Sequence, residues 1–448
     1  MTSKTSYIWW TSIISIHLAF LAYQLVHQRL YLHDSEEYKY VAQNLTNEQT
    51  LYSADLSAAI RYEHYTKRPP VYPVFWVIIA SVFGTDGWVI FFQLLISIGN
   101  IYLLLYVLRE IGVNAKVYLW LLPFLLLYPA QYIYTNLLMT EILFQSFLLL
   151  CLCLLLKAEA NKRLKFIYLY TLVLLLAMLT KPVMYLFFVP HACLMFYWTW
   201  KWRKWQLLII ALLPFLFVSS YSYWNDQRTG YFHFSSIQNK SLLQYTTYHL
   251  LMQEEGAEKA RRKVDEIEDH AAAMPDFAES QRYIQAESRR ILTQYAGTYL
   301  WFHLKGMLNF FIDPGRFDLY HFFGIEQSDG QGFLYHFSEN GYRGVWGYLK
   351  QQPIGVLLLL IVIAFVNALK LLALSIFPFT KTLRWEQKVL VLLPIFYLAA
   401  LTGINGASRF AVPVFPMMLL VMAVVLDSAF LHKNKRVGQL VSGFGAKF

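Results

Sequence analysis

Residues 68–84 have the sequence RPPVYPVFWVIIASVFG, an apolar stretch that opens with a double proline and carries a third proline at position 73. A transmembrane helix needs about 20 apolar residues, and the run from Pro69 to Phe83 is shorter. We therefore expect this segment to lie along the membrane surface. The choice matters because an added or omitted span reverses the side on which every later loop lies.

The composition of the whole chain indicates a membrane protein. Of its 448 residues, 57% are hydrophobic and only 15% are charged, against about 25% charged in soluble domains. The mean hydropathy is +0.40. Because a bilayer requires every backbone polar group to be hydrogen-bonded internally, we expect an all-α polytopic integral membrane protein and exclude a soluble enzyme. The net charge of +10 predicts no nucleic-acid partner, since Lys and Arg accumulate in cytoplasmic loops.

About ten runs can span a bilayer. The first follows Lys4 and lacks a small-residue cleavage site, so it predicts a retained helix with a cytoplasmic N-terminus. The runs are residues 7–30, 88–108, 117–134, 138–156, 166–180, 183–200, 205–224, 353–373, 387–402 and 410–431.

The basic clusters support this topology. With 69–83 left at the surface, the clusters at 109–116, 157–165, 201–204, 370–388 and 433–436 are all cytoplasmic, as the positive-inside rule requires. The chain then divides into a transmembrane module (1–224) with a first extracytoplasmic loop (31–87), a large extracytoplasmic loop (225–350), C-terminal helices (351–432) and a basic cytoplasmic tail (433–448).

The large loop changes character along its length. Residues 254–290 are charged and helix-prone, which predicts a solvated helical insert. Residues 301–324, WFHLKGMLNFFIDPGRFDLYHFFG, combine aromatic side chains with a few charges, a pattern typical of a segment at the membrane interface.

Three acids follow the first span, in YLHDSEEYKYVAQNL (31–45). A carboxylate at the extracytoplasmic surface can accept a proton from an acceptor hydroxyl or bind a divalent cation. Asp34 and Glu36 could converge on one cation if the segment is an irregular loop. The alternative is that Asp34, Glu36 and Glu37 form a polar cap on the membrane helix.

Five segments together resemble the GT-C glycosyltransferases that use polyprenyl-phosphate sugars, such as aminoarabinose lipid A transferases and protein O-mannosyltransferases. The segments are 34–45, 68–84, LLMTEILFQSFLLL (137–150), LTKPVMYLFFVP (179–190) and GASRFAVPVFPMMLL (406–420). The resemblance implies a GT-C-like fold with surface helices in the first loop, a catalytic role for the transmembrane module 1–224, and Asp34 as the catalytic base. It also implies an inverting transfer to a lipid, glycan or protein acceptor, in a bacterial inner membrane.

Cations at the same face are candidates for binding the donor phosphate. Arg409 lies at the extracytoplasmic mouth of the last span, where a guanidinium can grip phosphate oxygens. Lys181 lies at a helix end where the positive-inside rule disfavours it, and could share the phosphate or pair with Glu141. Arg68, beside Lys67, is a further candidate, with anchoring of the surface helix as its alternative role. In the family an acid matching Glu141 orients other groups, and Glu36 is a second supporting acid.

A divalent metal ion is the one cofactor left open. Some GT-C relatives coordinate a metal through an acid just before the proline-containing surface helix, but this sequence has Lys67 and Arg68 there. If a cation binds, its expected ligands are Asp34, Glu36, Glu63 and His64.

Two other classes of function compete with the enzyme. A transporter or flippase of a lipid-linked precursor predicts charges near the bilayer midplane and broken helices in repeated halves, whereas the informative charges here cluster at one face. A non-catalytic membrane scaffold would bind the lipid-linked sugar without turnover.

Overall fold

The computed structural model describes residues 3–325 and 353–444, together with residues 342, 343, 346, 347 and 350. Apart from those single residues, the part of the predicted 225–350 loop beyond residue 325 lies outside the described residues, as do the last four residues of the predicted 433–448 tail. The described part of the chain is helical and contains no β-strand. The all-α prediction is therefore confirmed for these residues.

Ten α-helices lie before residue 230 in the described part of the chain: α1 (Ser3–His27), α2 (His33–Glu48), α3 (Val71–Phe83), α4 (Asp86–Glu110), α5 (Ala115–Leu126), α6 (Pro129–Thr135), α7 (Glu141–Asn161), α8 (Leu164–Met178), α9 (Phe188–Trp202) and α10 (Gln206–Thr229). The next six are α11 (Ile237–Ser241), α12 (Tyr248–Glu255), α13 (Ala257–Ala272), α14 (Phe277–Gln294), α15 (Ala296–Ile312) and α16 (Arg316–Phe323). The described part ends with α17 (Ile354–Ile376), α18 (Trp385–Thr402), α19 (Ser408–Ala411) and α20 (Phe415–Phe444).

Eight helical segments in the described ranges are long and apolar enough to cross a membrane, which confirms a polytopic membrane protein. Helices α5 and α6 form a pair bent by 66°, which would make a ninth span. The remaining predicted span corresponds to α8, which has 15 residues and a length of about 22 Å. The hydrocarbon core of a bilayer is thicker, at about 30 Å. The eight segments are Ser6–His27, Asp86–Glu110, Glu141–Asn161, Pro182–Trp202, Gln206–Thr229, Ile354–Phe379, Trp385–Asn405 and Ser408–Phe430.

The apolar stretch that follows the double proline forms α3, a helix of 13 residues and about 20 Å. Its inner face buries Tyr72 and Trp76 against α2 and α4. The opposite face exposes Val74, Ile78 and Val82 at helical spacing. A helix too short to span, with one apolar face uncovered, is suited to the membrane surface.

The charged insert forms helices with a small core of their own. Val264 and Ile267 of α13 are buried with Ile291 of α14, while the outer faces carry exposed ion pairs such as Arg261 with Asp265. This amphipathic arrangement agrees with the helical insert predicted over 254–290.

Buried polar side chains hold helices α4, α6 and α7 and the segment at Val412 together. Gln131 of α6 donates a hydrogen bond to Ser97 Oγ of α4 at 3.0 Å, and Asn100 of α4 donates to Gln145 Oε1 of α7 at 2.9 Å. Gln145 in turn donates to the backbone oxygen of Val412 at 2.6 Å. Because an unpaired amide in a membrane interior is costly, these bonds hold the start of the last span against α7.

Helix α15 packs against the segment that leads into α19 with no room for a side chain. A Cβ atom added to Gly306 would lie 2.0 Å from the backbone oxygen of Gly403. Asn309 donates to the backbone oxygen of Gly406 at 2.6 Å. This close approach fixes the segment just before Arg409.

We predict that Gly306→Ala destabilises the protein by about 2 kcal/mol, because backbone must move to admit the methyl group. Gly297→Ala in the same helix is the control, since nothing lies within 4 Å of its added Cβ. The control should be neutral or slightly stabilising, as Ala favours helix. Unfolding of both purified variants in detergent measures the difference, and equal stability would contradict the close contact.

Candidate active site

Seven charged side chains form one continuous series of ion pairs, here called the charge network. In order along the network they are Lys67, Glu37, Arg68, Asp34, Arg409, Glu141 and Lys181. Four are cations and three are carboxylates, so the network has one positive charge in excess. Its members come from α2, the segment before α3, the start of α7, the segment before α9 and α19.

Asp34 occupies the middle of the network. Its Oδ1 accepts a hydrogen bond from Arg68 Nη2 at 2.6 Å, and its Oδ2 accepts one from Arg409 Nη2 at 2.6 Å. The side chains of Asp34 and Arg409 are 24% and 25% exposed, whereas that of Arg68 is 9% exposed. The centre of the network is therefore the part that a ligand can reach.

One side of the network is buried at the ends of membrane helices. Glu141, the first residue of α7, is fully buried. Its Oε1 accepts hydrogen bonds from Arg409 Nε at 2.7 Å and from Lys181 Nζ at 2.9 Å. The helix N-terminus also favours a negative charge. Two cations and the helix end together offset the cost of burying this carboxylate.

The other side of the network lies in the first loop. Glu37 Oε2 accepts from Arg68 Nε at 2.6 Å, and Glu37 Oε1 accepts from Lys67 Nζ at 2.5 Å. The Arg68 guanidinium also lies 4.9 Å from the centre of the Tyr38 ring, a cation–π contact. Arg68 is thus held by two carboxylates and a ring, which orients it toward Asp34.

Local sequence places these groups. Arg68 and Lys181 each precede a proline, and a residue before proline favours extended backbone; Lys181 has φ −140° and ψ 118°. The two segments meet where the Val71 amide donates to the Leu179 carbonyl at 3.2 Å. Lys181 is therefore projected from extended chain just before a helix begins, whereas Arg68 lies in a bend that leads into α3.

The pKa values of Asp34, Glu37 and Lys181 reflect a balance of burial and charge. Burial alone would raise the pKa of Asp34, but Arg68 and Arg409 hold it well below its usual value. The pKa of Glu37 is lowered in the same way, with burial opposed by Arg68 and Lys67. Burial lowers the pKa of Lys181 despite its contact with Glu141. Both carboxylates are ionised at neutral pH.

The structure brings together five of the predicted site residues: Asp34, Arg68, Glu141, Lys181 and Arg409. Glu36 is exposed and makes no ion pair in the described part of the chain. The reason is that residues 33–48 form a helix rather than an irregular loop. Residues three apart share a helix face and residues two apart do not, so Glu37 takes the place expected for Glu36.

The predicted metal ligands do not converge. Both oxygens of Asp34 bind arginines, and Glu63 lies 3.0 Å from Arg61 Nη2. His64 shares a hydrogen bond with Ser53 Oγ at 2.9 Å. No three His, Cys, Asp or Glu side chains in the described ranges form a group that could hold a metal ion. The residues present therefore do not fit the expected metal site.

Sequence reasoning missed a second buried carboxylate beside the network. Asp318 of α16 accepts a hydrogen bond from Tyr134 Oη at 2.6 Å and another from Ser408 Oγ. Ser408 directly precedes Arg409, and its amide donates to Asp313 Oδ2 at 2.7 Å. Burial raises the pKa of Asp318 to about 6. The only signal was an isolated acid in an aromatic segment predicted to be interfacial.

No family model matches the chain, and comparisons with curated proteins and with solved structures give no match. The resemblance to GT-C enzymes therefore rests on the five segments alone.

We predict that Glu37→Gln destabilises the protein by about 3 kcal/mol, because Lys67 and Arg68 are left buried without their shared carboxylate. The matched control is Glu36→Gln, which changes an exposed neighbour and should stay within about 0.5 kcal/mol of wild type. Unfolding in detergent compares the three proteins. Equal effects of the two substitutions would contradict the helical register of α2.

The raised pKa of Asp318 leads us to predict that the stability of the protein depends on pH. Burial raises its pKa from 3.8 to about 6, so the folded protein keeps this proton where the unfolded chain has lost it. The group therefore lowers stability as the pH rises from 4 to 6, by up to about 3 kcal/mol. Asp318→Asn lacks this titration, so its stability relative to wild type should rise by that amount between pH 4 and pH 7. A constant difference would contradict the assignment.

Proposed function

We propose that this protein is a membrane glycosyltransferase of GT-C type. It transfers one sugar, with inversion, from a polyprenyl-phosphate donor to an acceptor at the extracytoplasmic face of a bacterial inner membrane. In this proposal the N-terminus is cytoplasmic, α5–α6 and α8 complete about ten spans, and α2 and α3 lie at the outer membrane surface. The donor and membrane lipids are its partners, with a lipid, glycan or protein as acceptor.

The observation that carries the proposal is the centre of the charge network. The carboxylate at this centre is Asp34, which is partly exposed and lies between the guanidinium groups of Arg68 and Arg409. The network as a whole has one positive charge in excess. A sugar linked to a lipid through a phosphodiester carries one negative charge, so the donor would neutralise the site. Arginine binds phosphate oxygens in fixed, bidentate geometry.

The proposed reaction needs a base and a cation but no enzyme nucleophile. Asp34 accepts the proton of an acceptor hydroxyl as the acceptor oxygen bonds to the anomeric carbon of the donor sugar. The bond from that carbon to the phosphate oxygen breaks, and its electron pair stays on the phosphate. Arg409 stabilises the second negative charge that develops there. Lys181 and Glu141 orient Arg409 from the buried side.

Donor binding would also activate the base. While two guanidinium groups bind Asp34, its lowered pKa makes it a poor proton acceptor. A phosphate that draws Arg409 toward itself would release Oδ2 and raise the pKa of Asp34 toward its ordinary value. The carboxylate would then gain basicity only when a donor is present, which would limit unproductive chemistry.

One set of observations favours the transporter alternative. Helices α5 and α6 form an apolar pair bent by 66°. Lys370, predicted to belong to a cytoplasmic cluster, instead lies buried within the candidate span Ile354–Phe379, with its Nζ 4.1 Å from the centre of the Tyr128 ring. Charged residues within spans often mark transport pathways. Movement of a lipid-linked precursor in proteoliposomes without sugar transfer would support this alternative.

We predict that Asp34→Asn lowers sugar transfer by at least a hundredfold, within the range for loss of a general base, while the protein still folds. Glu36→Gln, two residues away, is the control and should retain activity. Mass spectrometry of envelope lipids, glycans and proteins from a strain lacking the gene identifies the missing sugar, and complementation with each variant measures its return.

Near-normal sugar levels with Asp34→Asn would overturn the proposed base. Silent substitutions at both Asp34 and Arg409 would instead favour a non-catalytic scaffold.

A further inference from the structure

A cavity of about 540 Å³ lies between the first loop and the charged insert. Residues 61–67 form one wall, and residues of α11, α13 and α14 form the others. The volume lies within the range of small-molecule sites, about 300–1,000 Å³. None of these elements is among the candidate membrane spans, so the cavity is suited to a water-soluble ligand.

The walls of the cavity combine apolar surface with polar side chains that are already hydrogen-bonded to one another. Gln244 donates to Glu268 Oε1 at 2.6 Å, and Asn239 donates to Gln281 Oε1 at 3.1 Å. Lys240 also lines the cavity and has no ion-pair partner in the described part of the chain. Paired carboxylates and amides retain free lone pairs and N–H groups, which can exchange hydrogen bonds with several hydroxyl groups of a ligand.

Two aromatic rings stand on different walls of the same cavity. Tyr62 comes from the first loop and Phe277 from α14, and their ring centres are 6.2 Å apart. Aromatic faces together with carboxylates and amides suit a sugar, which has apolar C–H faces and polar edges. Peptide recognition by strand addition, by an amphipathic helix or by a proline-rich segment needs a strand edge, an apolar groove or an aromatic groove. The described walls offer no strand edge, and charged and amide side chains interrupt their apolar surface.

The cavity is connected to the charge network through Lys67. Lys67 is among the residues that line the cavity, and its Nζ donates to Glu37, which binds Arg68, the partner of Asp34. The opposite end of the network lies at α7 and α19, the starts of membrane spans. Asp34 therefore lies between the end of the network at the membrane spans, here called the membrane end, and the end at the cavity, here called the aqueous end.

We propose that this cavity binds the acceptor, and that the acceptor presents a hydroxyl-rich carbohydrate headgroup. The inference rests on the proposed function and specifies its acceptor class. The donor lipid and its phosphate occupy the membrane end of the network, and the acceptor sugar reaches Asp34 from the aqueous end. The acceptor is thus a glycan or glycolipid rather than a protein.

The test fills the cavity without touching the charge network. Ala272, an exposed residue at the end of α13, lines the cavity, whereas the adjacent and equally exposed Ala273 does not. Ala272→Trp should lower transfer at least tenfold, and Ala273→Trp should stay within twofold of wild type. Ser280→Tyr fills the cavity from α14 and should repeat the loss.

Transfer is measured by complementing a strain that lacks the gene and quantifying the missing sugar in glycolipid, glycan and protein fractions. Binding of undecaprenyl phosphate to each purified full-length variant is measured by thermal shift, and should be unchanged in the filled variants. Normal transfer in both filled variants overturns the cavity as the acceptor site. Finding the missing sugar on protein overturns the acceptor class. Normal transfer with Asp34→Asn instead overturns the proposed function on which this inference rests.

Discussion

The ion pair between Asp34 and Arg409 joins residues that are 375 positions apart in the chain. A charge in a largely buried site must have a counterion, because desolvation costs several kcal/mol per ion. Each of these two residues also binds a second partner, and those partners bind others, until seven side chains are joined in series with one cation in excess. This requirement determines how the first loop, the start of α7 and the start of the last span are placed.

More of the fold than of the site could be predicted from the sequence. Apolar runs and basic clusters located the membrane helices, because length and hydrophobicity decide spanning. The short run after Pro69-Pro70 was expected as a surface helix, and α3 has the matching length and exposed apolar face. Where a run was broken, as between α5 and α6, hydropathy alone did not reveal the bend.

Within the site, the prediction that Asp34 pairs with Glu36 was wrong, because it did not take helix periodicity into account. Assigning Asp34 and Glu36 as a pair assumed an irregular loop, whereas helix α2 places Glu37 beside Asp34. Long-range partners were harder still: nothing in the order of residues indicates that Lys67 meets Glu37 or that Asp318 meets Tyr134. Such contacts depend on how helices pack, and the buried amides of Gln131 and Gln145 that fix this packing resemble ordinary polar interruptions of apolar runs.

The position of Arg409 has a consequence for biosynthesis. Asp34 is synthesised early and Arg409 late, and domains of a growing chain fold as they emerge. Until the span that begins at Ser408 has been inserted, Asp34 lacks one of its two guanidinium partners and Glu141 lacks one of its two cations. The charge network is therefore completed only after the first loop and the start of α7 have been synthesised, and both carboxylates wait for the same late-arriving side chain.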